Sequence, residues 1–116
     1  MKTPKQWHIY IVNLEPQVGT KPGKSRPCLT IQPTKLAEFG LKSSVVIPLT
    51  TNTFKEEHFP LRVKIPLGTC GLTKESEAII DQMLAWDNKL FGKNLGPIPE
   101  GLKQKVKSAL TEFLDL

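Results

Sequence analysis

Pro16-Gln-Val-Gly-Thr-Lys-Pro-Gly-Lys-Ser-Arg-Pro27, followed by the apolar run Cys28-Leu29-Thr30-Ile31, is the stretch on which the reading of this chain turns. Three prolines lack backbone donors, and Gly19 and Gly23 permit positive φ, so neither helix nor strand runs through it. Such a segment lies on the surface, presented by the scaffold around it. It carries Lys21, Lys24 and Arg26 within six residues and no acidic residue, a suitable place for a phosphate.

Outward from this loop the chain alternates strands and turns. Trp7 to Leu14, rich in Trp, Ile, Tyr and Val, predicts a first strand, and Cys28 to Gln32 a second, ended by Pro33. Thr34 to Phe39 suits a helical turn stopped by Gly40. Ser44 to Leu49 predicts a third strand leading into Thr50-Thr51-Asn52-Thr53. Phe59 to Ile65 alternates, setting Leu61, Val63 and Ile65 on one side and Arg62 and Lys64 on the other. Ala78 to Ile80 and Phe91 to Leu95 read as two further short strands. From Pro99 the period becomes helical, with Leu102, Val106, Leu110, Phe113 and Leu114 as the apolar stripe. Short strands followed by one long helix indicate a small twisted sheet or barrel of the α+β class. At 116 residues, without repeats, the chain is expected to form one domain over 1–116.

Net charge is +5, and the first 26 residues hold five Lys/Arg against Glu15 alone. The asymmetry favours a polyanionic partner such as nucleic acid; simple solubility explains the charge equally well. Cys28 and Cys70 have neither the spacing of a zinc site nor the number for a disulfide framework, and His8 and His58 stand apart. They read as reduced thiols. No apolar run approaches membrane-spanning length, so a cytoplasmic chain without a membrane partner, metal or cofactor is expected.

Motifs for a phosphate-binding nucleotide loop, a nucleophile elbow or a zinc protease are absent. Arg26 beside the basic loop and Thr50-Thr51 after a strand remain. An Arg and a hydroxyl suffice for RNA cleavage by the RNA's own 2′-hydroxyl. A guanidinium forks onto phosphate oxygens, and donors aimed at developing charge are worth about 3–4 kcal/mol each. Residue type alone favours plainer roles: a solvated charge or salt-bridge partner for Arg26, a turn former for Thr50.

Read together, the segments resemble the MazF/PemK family of toxin endoribonucleases, nearly end to end. Asn13-Leu14-Glu15-Pro16 stands where the family has Asp-Leu/Phe-x-Pro. Gly19 to Pro27 matches Gly-Ser-Glu-x-x-Gly-x-Arg-Pro with the same Gly-to-Arg spacing. Leu29 to Gln32, Val46 to Asn52, and Phe59 to Ile65 fit the next three strands. Gly71 to Ser76 with Ile79-Ile80-Asp81-Gln82, then Asp87-x-x-Leu90 and Gly92 to Gly96, complete the order. The resemblance implies an SH3-like β-barrel of the PemK/CcdB kind, mainly β, with short helices and a C-terminal amphipathic helix. It implies a homodimer and a type II toxin with a cognate antitoxin whose tail fills the RNA groove. It implies sequence-specific, metal-independent cutting of single-stranded RNA (an mRNA interferase) to 2′,3′-cyclic phosphate and 5′-hydroxyl ends. The catalytic Arg falls on Arg26 and the catalytic Thr on Thr50. Lys21, Lys24, Ser25, Thr51, Asn52 and Gln82 become candidate RNA contacts.

Three positions depart from the pattern: Lys21 stands where the family has Glu, Trp7-His8 where it has Gly-Asp, and Leu84 where it often has Arg. Two other readings compete. One is a CcdB-like toxin that binds gyrase; the other is a weakened relative that binds RNA without cutting it.

Overall fold

A computed structural model describes residues 3–15 and 24–116. Seven strands form the framework: β1 (His8–Asn13), β2 (Ser25–Thr30), β3 (Ser43–Thr50), β4 (Arg62–Ile65), β5 (Ser76–Ile79), β6 (Leu84–Asp87) and β7 (Phe91–Pro97). A short helix α1 (Thr34–Glu38) joins β2 to β3, and a long helix α2 (Glu100–Leu114) ends the chain. The fold is mainly β and of the α+β class, as expected.

All pairings are antiparallel, in the order β4-β5-β3-β2-β1-β7, with β6 also on β3. β3 is the hub. One edge pairs with β2; the other pairs first with β6, up to Val46↔Leu84, and then with β5, from Leu49↔Ala78. Pro48 falls in the gap between those two partners, where the missing N–H costs no ladder bond on that side. The pairing does not close into a barrel: β4 and β7 are its two ends, and α2 packs against β4.

Opposite faces of the sheet bury two clusters. Ile9, Leu29, Ile47, Leu49, Val63 and Ile65 pack with Leu102 and Val106 of α2. Tyr10, Val12, Cys28 and Val46 pack with Leu84, Trp86 and Phe91. Trp86 also donates from Nε1 to the carbonyl of Asn13 at 2.7 Å, tying β6 to the end of β1.

Several boundaries differ from expectation. β2 begins at Ser25 rather than Cys28, because Asn13↔Ser25 and Val12↔Arg26 extend the pairing with β1. The strand expected from Phe59 begins at Arg62: the carbonyl of His58 accepts from the backbone N–H groups of Leu61 and Arg62, closing a turn. Leu61 is therefore exposed, while Val63 and Ile65 are buried as the alternation required. β6 had no counterpart in the sequence reading. Along α2, Leu102 and Val106 are buried but Phe113 and Leu114 are exposed, since the helix outruns the sheet beneath it. Gly40, at φ 104°, ends α1 where it was expected to.

Candidate functional site

The site is assembled by β-sheet register. β2 and β3 pair as Thr30↔Val46, Leu29↔Ile47 and Cys28↔Pro48. Carried two residues farther, that count sets Arg26 against Thr50. Residues opposite one another on antiparallel strands share a face, so Arg26 and Thr50 belong to the face that holds Cys28. Both are partly buried. Two residues 24 apart in sequence thus fall on one face when the register of these neighbouring strands is continued past Cys28↔Pro48.

Arg26 is held from its other side by the pair with Val12. The Sγ of Cys28 donates to its carbonyl at 3.6 Å. Burial pushes the Cys28 thiol up to about 12, and the positive charge of Arg26 pulls it back only in part. This thiol is a proton-bearing core group, not a nucleophile.

The base of the basic loop is pinned by backbone. Leu14 N–H donates to the carbonyl of Lys24 at 2.9 Å, and Lys24 takes positive φ, 62°, to enter β2. Lys24 and Ser25 are exposed at that corner. Lys21, the remaining candidate in the loop, lies outside the described residues.

Thr50 ends β3 and starts a turn. Its Oγ1 accepts from Asn52 N–H at 3.1 Å, a hydroxyl-to-backbone bond typical of such turns. Thr51 and Asn52 are exposed. Under them lies a cluster the sequence reading missed. Glu77, the cross-strand partner of Thr50, is 1 % exposed. Its Oε1 accepts from Arg62 Nη1 at 2.8 Å and from Phe54 N–H at 3.3 Å. Arg62 Nη1 also reaches the carbonyl of Asn52 at 3.4 Å, and its guanidinium carbon lies 4.4 Å from the centre of the Phe54 ring. His58 meets the same ring edge-on at 4.3 Å. No signal in the sequence marks Glu77: all four positions of β5 are buried, so alternation along the strand does not single it out.

Gln82 is less close. It ends the single 3-10 turn Ile80–Gln82 between β5 and β6. That turn faces the stretch of β3 between Val46 and Leu49, not its Thr50 end. His8, one of the departures, bonds through Nδ1 to Asn94 Oδ1 at 3.1 Å on β7. A cavity of about 420 Å³ between β1, β7 and the N-terminal segment is lined by Lys5, Tyr10, Lys89, Phe91 and Lys93, among others, and by none of the candidate residues. Among the described residues no three His, Cys, Asp or Glu side chains converge as metal ligands. No helix among them is long and apolar enough to cross a membrane.

The family model for PemK-like, MazF-like toxins of type II toxin–antitoxin systems matches residues 5–114. The chain belongs to that family. The endoribonuclease MazF6 of Mycobacterium tuberculosis is 28 % identical over 108 residues, 93 % of this chain and 94 % of the relative. The endoribonuclease EndoA of Bacillus subtilis is 24 % identical over 112 residues, 97 % and 95 % of the two chains. Among solved structures, MazF from Deinococcus radiodurans superposes with a TM-score of 0.78, at 21 % identity and 98 % coverage of both chains. A mycobacterial endoribonuclease solved with its cognate antitoxin gives 0.72, at 18 % identity, covering 97 % of this chain and 96 % of that one. These likenesses establish that the fold seen here is the one shared by the solved MazF structures.

Proposed function

We propose that this MazF/PemK-family toxin cuts single-stranded RNA at a short sequence without a metal ion, with Arg26 and Thr50 as its reacting pair. The reading is supported by the register of β2 and β3, which, continued two residues past Cys28↔Pro48, puts a forked cation and a hydroxyl on one face. The 2′-hydroxyl of the substrate is the nucleophile. Its oxygen bonds phosphorus and yields its proton to solvent water, the bond from phosphorus to the 5′-oxygen breaks, and that oxygen takes a proton from Arg26, which recovers one from solvent. The products are a 2′,3′-cyclic phosphate and a 5′-hydroxyl. Arg26 clamps the phosphate oxygens and supplies a proton to the leaving 5′-oxygen. Thr50 donates to a phosphate oxygen as charge builds on the phosphorane. Lys24, Ser25, Thr51 and Asn52, exposed at the adjoining corners, hold the flanking nucleotides, and Lys21 and Gln82 add contacts at the margin.

The toxin works as a homodimer in the cytoplasm, held in check by an antitoxin whose tail covers the RNA groove. A neighbour of the same fold, solved with its cognate antitoxin, supports the antitoxin partner. The gyrase-binding alternative has no comparable support: the two curated relatives reported above are named endoribonucleases.

The test is direct. A long mixed-sequence RNA is incubated in excess EDTA with the protein or with its Arg26→Ala variant, and the ends are mapped. Cuts at one short sequence, bearing 5′-hydroxyl ends and absent with the variant, are expected. Intact RNA with the wild-type protein refutes the proposal.

A further inference from the structure

All four positions of β5 are buried. Ser76, Ala78 and Ile79 are small or apolar and suit such a strand. Glu77 does not: a carboxylate removed from water is costly unless it is paired and bonded. An apolar side chain there would pack without that penalty. The charge instead fastens a loop. Through Oε1 it receives Arg62 Nη1 and Phe54 N–H, and the same Nη1 holds the carbonyl of Asn52. One buried anion and its cation therefore grip both ends of the segment Asn52–Phe54, directly after Thr50.

That grip reaches the Thr50 hydroxyl. A hydroxyl has one hydrogen to donate. Because Asn52 N–H occupies a lone pair of Thr50 Oγ1, the hydrogen is turned away from Asn52 and left for another acceptor. Fixing Asn52 fixes the direction in which Thr50 donates.

We propose that Glu77 and Arg62 are positioning residues of the cleavage site, which aim the Thr50 hydroxyl by locking the turn that follows it. The proposal rests on the RNA-cleavage reading above. Neither residue is assigned a contact with RNA; both act through Asn52 and Phe54. Misplacement of a reacting group by about 1 Å costs about 100-fold in rate, so the effect belongs in kcat rather than in KM.

The test compares the full-length wild-type chain with Arg62→Leu/Glu77→Leu. Removing both charges together keeps the strand apolar and leaves no unpaired ion, a change buried pairs tolerate. Three readouts are taken: the thermal midpoint, single-turnover cleavage, and affinity for an RNA carrying 2′-deoxyribose at the cut position, which binds but is not cut. The expected result is a folded protein with near-wild-type affinity that cleaves about 10- to 100-fold more slowly. A folded double variant that cleaves at the wild-type rate overturns the proposal. If the double variant does not fold, Glu77→Gln decides: reduced kcat at unchanged affinity supports the proposal, and unchanged kcat overturns it. A wild-type chain that leaves RNA intact overturns the cleavage reading itself, and that control separates the two failures.

Discussion

Arg26 is worth more than its charge. A guanidinium binds two phosphate oxygens through parallel donors, which an ammonium does not reproduce. Arg26→Ala is expected to lower cleavage by about 100- to 1,000-fold, and Arg26→Lys to restore little of it, with far-ultraviolet circular dichroism unchanged in both. Its neighbour Cys28 supplies a pH prediction. The folded state raises this thiol to about 12 from 9.0, so the unfolded chain gives up its proton first. The contribution of Cys28 to stability is full below about pH 9 and is lost as pH rises towards about 12, by at most about 1.4 kcal/mol per pH unit. Urea unfolding at about pH 8 and about pH 10 checks the sign: wild type should lose more stability over that interval than Cys28→Ala. At this scale Arg26 and Thr50 stand out in the sequence only through the family resemblance, since by residue type each reads as a plainer group. Glu77 carries no mark at all. In Lys74-Glu75-Ser76-Glu77 it reads as one more solvated charge, and only the pairing of β5 with β3 and β4 shows it is enclosed.

Elements reveal where periodicity informs and where it stops. The helical stripe of α2 was visible from Leu102 to Leu114, yet its buried part runs from Leu102 to Ala109, with Leu110 partly buried beside it, and leaves the last turn exposed. Leu102→Ala is therefore expected to cost about 2–5 kcal/mol in urea unfolding, as a buried truncation does, while Phe113→Ala stays within about 0.5 kcal/mol, as for a surface change. Sequence spacing treats the two alike; burial separates them. β6 escaped notice because four residues, Leu84-Ala85-Trp86-Asp87, are too few for alternation to stand out from a loop. Its place is set by partners far along the chain, Val46 through Ser43 on β3. β7 carries a tighter constraint. A Cβ on Gly92 would lie 3.1 Å from the carbonyl oxygen of Ile11, so Gly92→Ala should push β7 from β1 and lower the thermal midpoint, an effect that Gly101→Ala, with open space around it, should not share.

For the molecule as a whole, charge and topology make separate demands. The excess of 16 Lys/Arg over 11 Asp/Glu sets no fold, but it governs approach to a polyanion. Binding of uncleavable RNA should weaken linearly in log salt, with a slope near −0.7 for each phosphate engaged on a single strand. Lys24→Ala should make that slope shallower by about 0.7 and leave the preferred sequence unchanged, because a phosphate contact positions without specifying. Topology was legible in class but not in closure: alternating strands indicated a mainly β molecule, whereas the ladder's ends at β4 and β7 rest on pairings between strands far apart in sequence, which no local pattern encodes.

The register that unites Arg26 and Thr50 also makes them separable. The turn after α1, with Phe39 exposed and Gly40 at positive φ, lies between the strands that carry them. A chain severed there would consist of two pieces, each with half of the proposed reacting pair and one side of the β2–β3 seam. Toxicity would then require the halves to meet, and the protein would become a reporter of proximity whose output is broken RNA.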